Sequence, residues 1–176
     1  KAAYGNASIT YIEVTANITA ATNVATRDLG WRATSVIIDA NGFTVNMAGA
    51  AFNVGTSSTV RGSIFTITDL NLIHWQSGTN SGDSGTGNAD GVIDSRSATG
   101  GYGYWYFNIN NVTLEGRDGV SGTDTSYQPR RLLDAEDSHV TLSGKVIANV
   151  KQELMQIGEV AIANGAHVEL NRTAGT

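Results

Sequence analysis

The sequence predicts an all-β fold, a parallel β-helix of short stacked strands, and three observations lead there. An eight-residue pattern is written twice, as "FTITDLNL" at 65–72 and "FNINNVTL" at 107–114. An Asp or Asn stands inside each copy, where the apolar alternation changes parity. The 176 residues include 21 Gly, 1 Pro and no Cys, and only 15% are charged. Hydroxyls and amides must therefore cover the surface, which suits strands and tight turns better than surface helices.

The elements follow in chain order. "ASITYIEVTANIT", before residue 36, reads as at least one strand pair. Val36 and Ile38 precede "DANG" and then Phe43 and Val45. Phe65 and Ile67 turn at Asp69 into Leu70 and Leu72, and Phe107 and Ile109 turn at Asn111 into Val112 and Leu114. Leu133 and Ala135 turn near Asp137 into Val140 and Leu142. Val160 and Ile162 turn near Asn164 and Gly165 into Val168 and Leu170.

Strand residues two apart share a face, so a parity change demands a bend if both pairs are to face one interior. Asp and Asn accept the left-handed backbone such a corner needs. The second apolar residue of each repeat falls at 38, 67, 109, 135 and 162, and the longest interval holds a polar insertion at 76–101. Units of this size cannot close a core alone and stack into a solenoid, here about five to seven rungs in one domain spanning 1–176. An antiparallel sandwich also uses short strands with Gly and Asn turns. Hairpins, however, have no reason to repeat a rung's internal grammar. "NVKQELMQIGEV" has room for a single helical turn.

"SVIIDANGFTVNM" resembles the strand-DGNG-strand rung of the pectate lyase-like, right-handed β-helix superfamily, with Ala40 where Gly is usual. "HVTLSGKVIANVKQELMQIGEVAIANGAHVEL" resembles the closing rungs of the pectate lyase-like adhesive domain of Gram-positive cell-surface proteins. The resemblance implies a right-handed coil in a secreted, often wall-attached protein that binds carbohydrate or another surface ligand. It carries over no diagnostic functional residue. The chain begins at Lys1 with neither Met nor a signal-like segment. It is expected to be a fragment of a larger surface protein, whose flanking domains would cover the open ends of the solenoid.

A net charge of -5 without clustered Lys or Arg speaks against nucleic acid. No apolar run approaches the roughly 18 to 20 residues of a membrane span, so no membrane insertion is expected. Absence of Cys removes disulfides and thiolate metal sites. The repeat register places Ile37, Thr66, Asn108, Asp134 and Ala161 in one outward column and Asp39, Thr68, Asn110, Glu136 and Ala163 in another. A calcium-dependent lyase needs carboxylates converging from several rungs, because Ca²⁺ takes about 6 to 8 oxygens. One acidic rung does not supply them, so neither a catalytic site nor a cofactor is expected. Asp134 and Glu136, about 6.5 to 7 Å apart on one strand face, define the rival reading of a polysaccharide-cleaving enzyme. Pairing with Arg130 or Arg131 is the simpler role for them.

"TGNADGVIDS" aligns Asn88, Asp90 and Asp94 with ligand positions of an EF-hand-like loop. The first carboxylate and the closing Glu are missing, which makes it a weak Ca²⁺ candidate. The strongest surface feature is "GYGYWYFN" at 101–108. With Trp105 and Phe107 inward, Tyr102, Tyr104 and Tyr106 line the outside, and such rings present π-faces to the C–H side of a sugar. Trp75 stands at the other base of the insertion. His74, His139 and His167 lack metal-ligand spacing and read as structural. The expectation is a non-catalytic adhesin module that binds a cell-surface or host glycan. Trp75, Tyr102, Tyr104 and Tyr106 would stack, while Arg96, Asp118, Arg130 and Arg131 would supply polar contacts. A ligand-free spacer is the remaining alternative.

Overall fold

The computed structural model describes residues 1–20, 29–55, 61–75, 91–95, 104–117 and 128–172. Among these residues one helical turn, α1 (Ala2–Gly5), precedes twelve strands. They are β1 (Tyr11–Glu13), β2 (Ile18–Thr19), β3 (Trp31–Arg32), β4 (Val36–Asp39), β5 (Thr44–Ala48) and β6 (Phe52–Val54). β7 (Ile64–His74), β8 (Ile93–Asp94), β9 (Tyr106–Glu115), β10 (Leu133–Val150), β11 (Met155–Ile162) and β12 (His167–Arg172) follow. Every pairing between them is parallel. The fold is a right-handed parallel β-helix.

Its rungs have three faces. The first stacks β1, β4, the start of β7, the start of β9, the middle of β10 and the end of β11. The second stacks β2, β5, the ends of β7, β9 and β10, and then β12. The third stacks β3, β6, β8, the start of β10 and the start of β11. Inward columns make the core, such as Ile12, Ile38, Ile67, Ile109, Leu142 and Ile162 on the first face. Aromatic rings climb the lumen, with centroids 5.4 Å apart for Tyr4–Phe52, 5.9 Å for Phe52–Phe65 and 5.9 Å for Phe65–Phe107.

The corner between the first two faces is left-handed at Asn41, Asp69 and Asn111, with φ of 51°, 52° and 51°. Gly144 and Gly165, φ 60° and 78°, take over in the last two rungs. Side chains join successive corners. Asn111 Nδ2 donates to Asp69 Oδ1 at 2.9 Å, and Asn111 Oδ1 accepts from the Lys145 N–H at 3.0 Å.

Two sequence expectations need correction. In the fourth rung Val140 and Leu142, not Leu133 and Ala135, stack on Phe107 and Ile109. Asp137 is also a left-handed corner, φ 59°, but it joins the third face to the first. Both corners read inward pair, Asp or Asn, inward pair, so local sequence does not tell them apart. The other correction concerns 149–160: after bends at 151, 152 and 154 the chain enters β11, with no helical turn.

Candidate functional site

The corrected register redraws the outer surface of the first face. One column runs Tyr11, Ile37, Thr66, Asn108, Thr141 and Ala161. The next runs Glu13, Asp39, Thr68, Asn110 and Ser143. Thr141 and Ser143 stand where Asp134 and Glu136 were expected. Hydrogen bonds tie the polar rows together: Asn108 Nδ2 donates to Thr66 Oγ1 at 3.2 Å and Asn110 Nδ2 to Thr68 Oγ1 at 3.1 Å. Among the described residues no group of three or more His, Asp or Glu is placed to hold a metal ion.

An aromatic patch begins the same face. Ile64, Tyr106, His139 and Glu159 are register partners on four successive rungs. Tyr106 is half exposed and stacks on the His139 ring, with centroids 5.0 Å apart and planes 10° apart. His139 Nδ1 lies 2.7 Å from Glu159 Oε2, which braces the ring against the next rung. Tyr104 is exposed beside Gly62, whose N–H donates to the Tyr104 carbonyl, and the Arg61 guanidinium covers its ring at 4.0 Å. Trp105 between them points inward, fully buried, and its Nε1 donates to the Gly55 carbonyl at 2.7 Å. That anchor fixes the backbone carrying the two tyrosines.

The other expected residues lie elsewhere. Trp75 follows β7 at the far end of the second face, eleven residues and one corner from Ile64, so it does not join the tyrosines. The Arg117 guanidinium lies 5.6 Å from its ring. Arg130 donates to Gln152, and Arg131 is buried on the third face. Arg131 binds Asp134 at 2.6 Å and also holds Glu153 and Gln156. Asp134 is itself buried, and Gln156 donates to Glu136. Asp94 lies in β8, paired with Asn53 on one side and Asp134 on the other, and it is buried. Asn88, Asp90, Arg96, Tyr102 and Asp118 lie outside the described residues.

A family model described as "Putative pectate lyase-like adhesive domain" matches residues 1–152. The chain belongs to this family. No curated protein and no solved structure matches it. The pectate lyase-like adhesive domain is named for adhesion and not for catalysis, and here the Asp134 carboxylate is sealed at 4% exposure behind a guanidinium. Within this adhesive domain the sequence pattern did not single out Arg61, His139 or Glu159. Arg61 meets Tyr104 through the β7–β9 register, while His139 and Glu159 reach Tyr106 only through the registers of β10 and β11. The signal was present in "HVTLSG", whose alternation matches "YFNINN" one residue for one, once the Asp137 corner is assigned to another edge.

Proposed function

We propose that this adhesive domain is a non-catalytic module that binds carbohydrate on the outside of its solenoid, on the surface of a Gram-positive bacterium. The observation that carries the reading is the Tyr104–Tyr106 patch. Two exposed rings stand on a strand whose backbone is pinned from below by Trp105, with Arg61, His139 and Glu159 around them. A preset ring loses little side-chain freedom when a sugar stacks on it, and the surrounding charged and imidazole groups reach hydroxyls at the sugar's edge.

The Asp134–Glu136 enzyme reading finds no support in this arrangement, because a glycosidic oxygen has no route to a buried, ion-paired carboxylate. A glycan array tests the proposal. Binding is expected on at least one glycan class and should fall about tenfold in Tyr106→Ala, the loss of one stacking ring and its contacts. A blank array with a folded sample favours a spacer. Release of reducing ends or unsaturated products from pectins would return the case to an enzyme.

A further inference from the structure

A polar cleft of about 520 Å³ lies on the outside of the second face, from β2 to the end of β9. Two columns of outward side chains line it. The first is Asn17, Thr44, Asn71 and Thr113; the last three are register partners, and Asn17 is tied to Thr44 through its side chain. The second is Thr19, Asn46, Ile73 and Glu115, register partners throughout. With rungs about 4.8 Å apart, four rungs give a binding length of about 14 Å along the solenoid axis.

Each amide is anchored at one end. Asn17 Oδ1 accepts from the Thr44 N–H at 2.9 Å, and Asn46 Oδ1 accepts from the Ala48 N–H at 3.1 Å. Asn71 Nδ2 donates to the Gly42 carbonyl at 2.7 Å. The backbone partners settle which end of each amide points where. Two Nδ2 donors and one Oδ1 acceptor remain for a ligand, on rigid strands beside hydroxyls that both donate and accept. Ile73 adds an apolar step, and Trp75 stands two residues further along the chain. Among the described residues, Glu115 is the only charged one lining the cleft.

We propose that this cleft binds a stretch of uncharged, unbranched polysaccharide laid along the axis, and that it rejects polyuronate chains. Interleaved fixed donors and acceptors match sugar hydroxyls, whereas a carboxylated chain would meet Glu115 with no Lys or Arg among the described lining residues to balance it. The cleft shares a ligand class with the tyrosine patch but none of its side chains, and it lies on a different face.

The test titrates the isotope-labelled chain with cellohexaose, chitohexaose, xylohexaose, mannohexaose and hexagalacturonate and follows its backbone amide resonances. At least one neutral probe should move the amides of Thr44, Asn71 and Thr113. The Thr44→Val/Thr113→Val variant, isosteric and strand-compatible, should weaken that binding about tenfold while leaving the rest of the spectrum in place. Shifts confined to Tyr106 and His139 would overturn the cleft and leave the patch standing; shifts confined to the cleft would do the reverse. No shift with any neutral probe, or a preference for hexagalacturonate, would also overturn it.

Discussion

Gly144 shows how much one residue carries in this fold. It sits at φ 60°, and a Cβ there would collide with Asn111 Oδ1, which already accepts from the Lys145 N–H. Gly144→Ala is therefore expected to cost about 2 to 3 kcal/mol, read from the urea midpoint. Arg131 is a second such residue. Arg131→Leu removes the guanidinium that binds the buried Asp134 carboxylate at 2.6 Å and should cost about 3 to 5 kcal/mol, while Arg131→Leu/Asp134→Leu recovers most of the loss. His74 sets a pH dependence. Burial, and secondarily the charge of Lys151, lowers its pKa to about 4. Neither ring nitrogen has a well-formed hydrogen bond among the described residues, and the Gly49 backbone offsets only part of the burial. The unfolded chain takes up this proton near pH 6.5 and the folded chain does not, so stability is full above 6.5 and falls as pH drops toward 4. The loss at this one site is about 3 kcal/mol, and His74→Phe should flatten urea midpoints across that window.

Strands in this solenoid are worth what their neighbours cover. β10 is one unbroken run of 18 residues that serves all three faces, bending at Asp137 and Gly144. Its Leu142 is 1% exposed between Ile109 and Ile162, whereas Ile162, in the same column but on the last rung, is 61% exposed. Leu142→Ala should cost about 2 to 5 kcal/mol and Ile162→Ala under about 1 kcal/mol, by chemical denaturation of both variants. Val160 and Leu170 share the exposure of Ile162, and this whole rung lies past residue 152, where the family match ends.

Across the molecule, the net charge of -5 disfavours an anionic partner, and the Thr- and Asn-rich outer faces offer uncharged hydrogen-bonding groups. Glycan binding at either proposed site should change by less than about twofold on raising NaCl from about 0.05 to about 0.5 M, as calorimetry would measure. A steep loss with salt would point to an anionic ligand held by surface charge. The three-faced coil also separates the aromatic residues that flank the 76–101 insertion in the chain. Tyr104 and Tyr106 stand at the start of the first face and Trp75 beyond the end of the second, so a single sugar ring does not span them.

The sequence alone was enough for the coil, the inward alternation within each strand and the Asp69 and Asn111 corners, because strand alternation and left-handed turns are local chemistry that leaves a local pattern. It also placed Trp105 inward with Tyr104 and Tyr106 outward. Only the tertiary structure decided which corner belongs to which edge. Asp137 obeys the same local rule as Asp69 and Asn111, and nothing within a few residues of it records that it closes a third face. That choice moves Asp134 and Glu136 off the first face, buries the acid under Arg131, and brings His139 and Glu159 to Tyr106. Neighbours across rungs, such as His139 and Glu159 at 20 residues apart or Thr66 and Asn108 at 42, are distant in the chain, so their meeting is a property of the stack and not of any segment within it.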